Sequence, residues 1–434
     1  MILVSKIHLC IIQNIPFVTI PDKKTLDKIP LALITVLDML INTFLLTNRI
    51  KLSIICNYPM KISKDTLRKI LGDRYQNINL EIIPNLSTYS LKDNLIFTLK
   101  SFFKLLKLNK FNRIDITYCL YPFSSILASI FFKIITFNKH SKIIYDIRQA
   151  WIENIFEQDH LKKNIFLLKI FFLIEKFCVS QSNGFLFLNN SLKKYYEIRF
   201  WKKIQNKPIM LLNSHIDEER LKLSQPGKDM TTDIKCDENQ VKLGYIGSMD
   251  HWRKLDFLLD AISRYNSLYA SNNLVLFMIG SGSAVKELEK KCKIMGLDKQ
   301  VFFLGPKKPD RIKYYLEQID IGLSHQPKML ATIFGAPLKV LEYLYFNKPV
   351  VASNVPAHSR LSKFMNGNGI FLYDFDINSF IRALLNALKV YNKLNVKEVL
   401  SDKFGLKQTA TTYMHFFNLI QKNSKSVILS NGFV

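Results

Sequence analysis

The segment GAPLKVLEYLYFNKPVVAS, from Gly335 to Ser353, constrains the fold more than any other part of this sequence. It places a turn of small residues, the start of a helix and a hydrophobic strand one after another, an order by which α/β proteins build sites for anionic ligands. The Gly-Ala-Pro turn lacks bulk, so amide groups at the start of the helix can face a phosphate. A Lys-Pro pair then ends the helix, and VVAS is typical of a buried parallel strand.

One carboxylate lies inside the predicted helix of this segment. Glu342 comes about one and a half turns after the helix start, at 3.6 residues per turn. A carboxylate at that point can accept hydrogen bonds from ribose hydroxyls while the helix start holds a diphosphate. The segment therefore predicts a site for a nucleotide diphosphate.

This pattern resembles the nucleotide-sugar-dependent glycosyltransferases of family 4 (group 1), which have the GT-B fold. That family carries two carboxylates eight positions apart, the first binding the transferred sugar and the second the ribose. Glu342 matches the second, whereas Phe334 stands at the place of the first. A lysine-containing subset of the family reads small-Pro-x-Lys-x-x-Glu-Tyr, and the matching residues are Ala336, Pro337, Lys339, Glu342 and Tyr343.

A second loop, GSMDHWRK, begins at Gly247 and follows the strand VKLGYI, at the sheet edge where open α/β sheets bind ligands. Arg253 and Lys254 can clamp a diphosphate, the first through two-pronged hydrogen bonds and the second as a point charge. The family carries an Arg directly after the glycine and a Lys five residues later. Here Ser248 and Arg253 hold those positions, and we hypothesise that Lys339 or Lys254 replaces the missing cation. A basic surface loop without a ligand is the alternative.

A glycine turn, GSGS, ends a later strand and opens a helix. The resemblance implies that this turn, with Gly280 and Gly282, faces the donor. A plain tight turn is the alternative explanation for both glycines.

The first half contains YDIRQAWIEN, which resembles the YDIRDLW segment that ends a strand in the family. By resemblance, Asp146 and Arg148 point toward a cleft between two domains, where Asp146 contacts the reacting sugars. An Asp that caps the following turn is the alternative. Farther along, NSHID resembles the family's NGVD segment, with Asn213 and Asp217 matching, and marks the boundary between the domains.

Both halves of the chain alternate short apolar strands with helical segments, which predicts parallel sheets and an α/β fold class. By resemblance, two Rossmann-like doubly wound domains face each other across a cleft, as in GT-B proteins. The predicted parts are an N-terminal acceptor-side domain at 1–217, a linker region at 218–240, a nucleotide-sugar-binding domain at 241–402, and a segment at 403–434 whose helix crosses back to the first domain before a frayed tail beyond Lys422.

The 61 Lys and Arg residues outnumber the 35 Asp and Glu residues, for a net charge of +26. Such an excess attracts phosphates, anionic lipid headgroups or nucleic acid, although lysines spread over solvated faces explain it equally. No basic run interleaved with aromatic residues marks a nucleic-acid module, so nucleic acid is not an expected partner.

Two apolar segments raise the question of membranes. Leu91 to Phe111 predicts a helix with a basic edge and a broad apolar face, which suits either peripheral contact with an anionic membrane or packing on the sheet. The run from Leu31 to Thr47 contains Asp38 and Asn42, and predicts a buried crossover helix more than a membrane span.

No metal and no cofactor are predicted. Asp374 and Asp376 lie on one loop before a helix, where Asp serves as an N-cap and two carboxylates are an incomplete ligand set. The six cysteines form no C-x-x-C pair, which argues against zinc and a disulfide framework and favours a reducing cytosol.

By resemblance, the chain is a hexosyltransferase that moves a sugar from a nucleotide diphosphate donor to a growing glycan or lipid-linked acceptor in surface polysaccharide biosynthesis, retaining the anomeric configuration. Its expected location is the cytoplasm, at the inner face of the membrane. The alternatives are a non-catalytic glycosyltransferase-like subunit, a nucleotide-sugar epimerase of the same fold, or a basic nucleic-acid-binding protein. The catalytic candidates are Asp146, Arg253 and Glu342. The donor-binding candidates are Gly247, Ser248, Lys254, Gly280, Gly282, Gly335, Ala336, Pro337, Leu338 and Lys339.

Overall fold

The chain divides into two compact units in a computed structural model. The first unit comprises Met1–Asn213 and Thr409–Gly432, and the second Ser214–Gln408. The predicted linker at 218–240 and the predicted crossover helix at 31–47 lie largely outside the described residues. The structure describes residues 6–13, 43–44, 47, 49–58, 78–84, 91–120, 122–150, 152–153, 165–212, 215–218, 221, 239–269, 273–307, 311–424 and 427–430.

The first unit is built on an eight-stranded parallel sheet in the order β14-β7-β6-β5-β4-β1-β2-β3. All seven residues of β1 are buried, as expected of strands covered on both faces. The strands are β1 Ile7–Gln13, β2 Ile50–Tyr58, β3 Asn79–Pro84, β4 Ile116–Leu120, β5 Lys142–Ile147, β6 Gly184–Phe187, β7 Ile209–Leu211 and β14 Ile428–Ser430.

Four helices cover one face of this sheet: α1 Leu91–Phe111, α2 Phe123–Ile135, α3 Ile165–Gln181 and α4 Asn190–Ile204. Each leads to a strand farther along the sheet in the same direction, so right-handed connections place all four on the same side. Consecutive helices also pack against each other, α1 on α2, α2 on α3, and α3 on α4. We call these four helices the helical layer.

The terminal helix, Leu406–Gln421, packs in a core cluster of the first unit to which the helical layer contributes none of the described residues. In this cluster Tyr413, Phe416 and Phe417 pack with Phe44. The expectation of a frayed tail after this helix is wrong, because β14 pairs in parallel with β7 at the edge of the sheet. The amide of Ile209 also donates to the carbonyl of Val427 over 2.8 Å. An edge strand offers unpaired backbone groups, which β14 satisfies, and Leu429 of β14 also packs against the core cluster.

The second unit is a six-stranded parallel sheet in the order β10-β9-β8-β11-β12-β13. This is the 3-2-1-4-5-6 order of a Rossmann sheet, with its switch point between β8 and β11. The strands are β8 Val241–Ile246, β9 Leu274–Ile279, β10 Val301–Gly305, β11 Ile321–Ser324, β12 Val350–Ser353 and β13 Ile370–Tyr373. The helices are α5 Asp256–Tyr269, α6 Val285–Ile294, α7 Ile312–Gln318, α8 Leu330–Ile333, α9 Leu338–Tyr345, α10 Pro356–Phe364, α11 Ile377–Leu388 and α12 Lys397–Phe404, so that the terminal helix is α13.

Apolar side chains cover both faces of the second sheet. One cluster joins α5 and α11 to the strands, and another joins α7, α9 and α12 to them. Among the described residues of the whole chain, no helix combines the length and the apolar content needed to cross a membrane.

Candidate active site

The carboxyl ends of β8 and β11 lie side by side, with Tyr245 paired to Leu323. In open α/β sheets, ligands bind in the crevice at this switch point. The predicted donor loop Gly247–Lys254 continues from β8 into this region.

The loop after β8 packs directly on the turn after β9. The amide of Met249 donates to the carbonyl of Ser281 over 2.8 Å, and the amide of Ala284 donates back to the carbonyl of Met249 over 2.9 Å. Gly280 has a φ of +145°, and a Cβ there would lie 1.8 Å from the carbonyl oxygen of Gly247. A Cβ on Gly282 would lie 2.2 Å from the carbonyl carbon of Met249. Both glycines therefore let two backbones touch, which a plain tight turn does not require; their contact with the donor stays a prediction.

Arg253 is held in place on two sides. Its Nε donates to Oγ of Ser248 over 2.7 Å, and its guanidinium carbon lies 4.2 Å from the centre of the Trp252 ring. The hydroxyl of Tyr245 donates to the carbonyl of Ser248 over 2.8 Å, which fixes that residue in turn. Residues His251–Arg253 form one turn of 3-10 helix, and the exposed Lys254 ends it with a φ of 51°. Ser248 thus orients Arg253, and the two terminal nitrogens of Arg253 remain for an anion.

The helix α9 is anchored to the same two strands. The amide of Ile246 donates to the Tyr343 hydroxyl over 2.9 Å. The Tyr343 ring covers Gly322 of β11 so closely that a Cβ there would lie 2.4 Å from the ring. Since α9 begins at Leu338, directly after Pro337, its first amides have no partner within the helix. Tyr343 therefore fixes α9 to β8 and β11, the two strands of the switch point, and the Arg253 loop continues from β8.

Glu342 and Lys339 bind each other. The Lys339 Nζ atom lies 2.8 Å from Oε2 of Glu342, whose side chain is buried while that of Lys339 keeps 39% exposure. Sequence reasoning assigned Glu342 to ribose and Lys339 to the diphosphate, without foreseeing the ion pair. The two assignments stay predictions.

Residues 240–389 match the family model described as "Glycosyl transferases group 1". These residues form a group 1 glycosyltransferase domain.

A curated relative of this chain is also described as a glycosyltransferase. The putative teichuronic acid biosynthesis glycosyltransferase TuaH of Bacillus subtilis is 36% identical over 63 residues, which is 14% of this chain and 16% of TuaH. The resemblance to group 1 glycosyltransferases is confirmed, and the assignment to family 4 stays a prediction.

Solved structures resemble the whole chain in fold. Sucrose-phosphate synthase from Thermosynechococcus elongatus has a TM-score of 0.66 at 11% identity, covering 96% of this chain and all of its own. HepE of Anabaena, in complex with UDP and glucose, has a TM-score of 0.62 at 12% identity, covering 94% of this chain and 99% of its own. These likenesses confirm the predicted α/β fold with two doubly wound domains of the GT-B type.

Beside the Arg253 loop, the group 1 domain carries an aromatic stack that sequence reasoning missed. The Phe257 ring stacks on His325 at 4.9 Å and on Tyr373 at 5.6 Å. Nδ1 of His325 lies 2.5 Å from the Tyr373 hydroxyl, and burial lowers the pKa of His325 to about 4. His325 is therefore a neutral, buried residue at the end of β11. No local pattern could have found a stack whose members lie on three distant segments.

In the first unit, Asp146 is fully buried and serves as the centre of a polar cluster. Its Oδ2 accepts hydrogen bonds from the Tyr118 hydroxyl at 2.7 Å and from Nε of Arg148 at 2.9 Å. The Tyr118 hydroxyl also lies 3.2 Å from that of Tyr413 on α13, and burial raises the pKa of Tyr118 well above its usual value. The structure thus gives Asp146 an ion pair within the fold, not the turn cap considered as the alternative. Its contact with sugars stays a prediction.

Asp376 caps α11. Its Oδ1 accepts a hydrogen bond from the amide of Ser379 over 2.8 Å, and the hydrogen bonds with Ser379 lower the pKa of Asp376. Among the described residues, no three His, Cys, Asp or Glu side chains come together as a metal site.

Proposed function

We propose that this chain is a retaining glycosyltransferase that takes a sugar from a nucleotide diphosphate donor and gives it to a growing glycan or lipid-linked acceptor. One observation carries the proposal. Within the group 1 domain, an arginine oriented by Ser248 and the helix α9, which Tyr343 holds to β8, lie at the switch point between β8 and β11. Together these are the groups that bind a diphosphate.

The departing diphosphate gains negative charge as the sugar leaves it. Arg253 would donate two hydrogen bonds to its oxygens, and the first amides of α9, with the positive end of the helix dipole, would stabilise the rest of the charge. Because Ser248 and Trp252 already hold Arg253, little rotamer entropy is lost when the donor binds. Lys254 and Lys339 would add positive charge, and no metal is required.

Glu342 would orient the ribose of the donor. To do so, Glu342 would accept hydrogen bonds from the ribose hydroxyls, either beside the Lys339 ammonium or in its place. In the second case Lys339 would turn toward the diphosphate. The half-exposed position of Lys339 leaves it room for that movement. The Gly335, Ala336 and Pro337 turn would lie against the donor, because small residues allow a close approach of the backbone.

A UDP-sugar is the first donor to test, because HepE, which shares the fold, is known in complex with UDP and glucose. TuaH, the teichuronic acid relative, supports a role in surface polysaccharide biosynthesis. The proposal also includes a cytoplasmic location at the inner face of the membrane, with α1 in contact with anionic headgroups.

A non-catalytic subunit is the second candidate, and two observations favour it. Phe334, which stands where the family carries its sugar-binding carboxylate, is buried, and Ser248 stands where it carries an arginine. Such a subunit would bind a nucleotide without turning over the sugar. Donor turnover separates the two candidates, whereas donor binding does not.

The test is nucleotide release from a panel of UDP-, GDP-, ADP- and dTDP-sugars, with a lipid or glycan extract of the source as acceptor. We expect release from one donor, its loss in Glu342→Ala, and a product with the anomeric configuration of the donor. If the folded protein released no nucleotide from any of the four donors, the enzyme proposal would be overturned and the non-catalytic subunit favoured.

A further inference from the structure

The helical layer of the first unit exposes far more apolar surface than its packing requires. Fourteen of the twenty-one exposed large hydrophobic side chains among the described residues lie on its four helices or the turn after α2. Isolated exposed apolar residues are common, but a concentration on one layer marks an interaction surface. These residues are Leu95, Leu99, Phe103, Phe111, Phe131, Ile134, Ile135, Phe137, Ile165, Phe166, Leu173, Phe177, Ile198 and Trp201.

The first helix of the layer has apolar side chains on two opposite faces. Phe97 and Leu105 are buried against the sheet side, as a crossover helix requires. Leu95, Leu99 and Phe103 form a row at intervals of four residues, with exposures of 51%, 54% and 64%. Packing on the sheet therefore explains only the inner face, and the outer row stays more than half exposed.

The exposed charged side chains of the four helices are all lysines. None of the acidic residues in the four helices is exposed, and Glu175 and Glu197 are paired with Arg199 and Lys193, at 3.1 and 2.9 Å. The exposed lysines of these helices are Lys92, Lys100, Lys107, Lys110, Lys169, Lys176, Lys194, Lys202 and Lys203.

A surface that combines exposed apolar side chains with lysines fits a lipid bilayer better than a protein. Protein interfaces are depleted in lysine, whereas lysines attract anionic headgroups and let apolar side chains enter the boundary below them. Long lysine side chains also lie along apolar surface while their ammonium groups stay among the headgroups.

A cavity at the end of α2 supports the same partner. It measures about 310 Å3, and its walls include Ile130, Ile134, Phe137 and Ile143 together with two lysines, Lys133 and Lys139. Phe137 is 84% exposed although its φ of 49° is unfavourable for an aromatic residue. An apolar pocket with cations beside it matches an acyl chain below a phosphate headgroup.

We propose that the outer surface of the helical layer docks on a bilayer that contains anionic phospholipids. Docking would use the apolar side chains of all four helices and their lysines, and so extends the contact beyond α1. The consequence for the reaction, that the acceptor is carried by a lipid of that bilayer, rests on the proposed function.

The experiment is flotation of the full chain with vesicles, either of phosphatidylcholine alone or of phosphatidylcholine mixed with phosphatidylglycerol, at low and high salt. We expect binding to the mixed vesicles, weakening with salt, and little binding to phosphatidylcholine. Lys100→Gln with Lys110→Gln is expected to lower the partition coefficient roughly 25-fold, because each lysine near an anionic surface contributes about a factor of five.

The apolar contribution is tested with Leu99→Ser and Phe103→Ser, for which we expect a loss of about tenfold or more. Matched controls lie on exposed positions of the second unit: Lys290→Gln with Lys293→Gln for charge, and Leu268→Ser with Ile294→Ser for apolar surface. Circular dichroism of each variant checks that it is folded.

Equal losses in the layer variants and their controls would overturn the proposal, as would the absence of vesicle binding by the folded parent chain. A dimer that dissociates in Leu99→Ser with Phe103→Ser, without vesicle binding, would identify the layer as a protein interface instead. Vesicle binding needs neither donor nor acceptor, so its failure is distinct from failure of nucleotide release in the donor panel.

Discussion

Nε of Arg253 donates a hydrogen bond to Oγ of Ser248 over 2.7 Å, while the ring of Trp252 lies against the guanidinium. By resemblance, Ser248 stands where the family carries an arginine, and in the structure its hydroxyl orients the guanidinium of Arg253.

Removal of that hydrogen bond should weaken catalysis more than folding. For Ser248→Ala we expect nucleotide release to fall roughly 10- to 150-fold, because a hydrogen bond to a charged group contributes about 1.5 to 3 kcal/mol. Initial rates at saturating donor measure the effect. Ser267→Ala, which removes an exposed serine hydroxyl of α5, is the control and should keep the parent rate. Equal rates for Ser248→Ala and the parent would show that Arg253 needs no such orientation.

The ion pair between Lys339 and Glu342 makes opposite predictions for its two members. Lys339→Met leaves a buried carboxylate without its ammonium, and we expect a loss of about 1 to 2 kcal/mol, below the cost for a fully buried pair because Lys339 is half-exposed. Glu342→Gln keeps the shape and a polar group, so its stability should stay close to that of the parent while donor turnover falls. Thermal unfolding and nucleotide release, measured on both variants, separate the effects. A fall in stability for Glu342→Gln as large as for Lys339→Met would argue against the ribose role.

The two glycines after β9 should tolerate no side chain. A Cβ on Gly280 would approach the carbonyl oxygen of Gly247 to 1.8 Å, so Gly280→Ala should destabilise the second unit by several times the cost of an ordinary glycine replacement. Gly296→Ala is the matched control, because Gly296 also has a positive φ but no atom within 4 Å of the added Cβ. Its expected cost is about 1 kcal/mol from the backbone conformation alone. Similar melting temperatures for the two variants would contradict the close approach of the loops.

We expect replacement of Asp146 to lower the free energy of unfolding of the first unit. Asp146→Asn keeps a partner for Tyr118 but leaves the largely buried Arg148 without its counter-charge, which should cost about 3 kcal/mol or more. A change in kcat with unchanged stability would instead support direct contact with the reacting sugars. Denaturant unfolding and steady-state kinetics on the same preparation distinguish the outcomes.

Acid should destabilise the second unit through His358. Burial lowers the pKa of His358 to about 4, from an ordinary value of 6.5. The unfolded chain therefore binds the proton first, and the stability from this group is present above pH 6.5 and is lost as the pH falls from about 6.5 to about 4. We expect His358→Gln to remove about 2 kcal/mol of the stability difference between pH 7 and pH 5.

The comparison with a variant is needed because Glu175 acts in the opposite direction. Burial raises its pKa to about 7, so its contribution in the first unit improves as the pH falls through the same window. His140→Gln, at an exposed position, is the control and should keep the parent slope. An unchanged slope in His358→Gln would contradict the assignment.

Local sequence patterns predicted the features that depend on neighbouring residues in the sequence, such as strands and helix caps. Runs such as IHLCIIQ and VKLGYI form buried parallel strands because they are apolar throughout, and Asp376 caps a helix because its neighbours favour one. The ion pair of Lys339 with Glu342, three residues apart, could have been considered from spacing alone.

Contacts between distant segments could not be predicted in the same way. The clash that excludes a Cβ at Gly280 involves a residue thirty-three positions earlier. The aromatic stack joins Phe257 of α5 to His325 after β11 and to Tyr373 of β13. The pairing of β14 with β7 depends on an open sheet edge, which the tail sequence itself does not encode.

The most direct test of the account is transfer of a labelled sugar from the accepted donor into a lipid extract of the source, with the parent chain, Arg253→Ala and Ser267→Ala compared. The account predicts label in the acceptor fraction for the parent and for Ser267→Ala, and a loss of at least about a hundredfold for Arg253→Ala, since removal of one transition-state donor costs that much. Label that stays in the donor with a folded parent chain, or that moves equally well with Arg253→Ala, would contradict it.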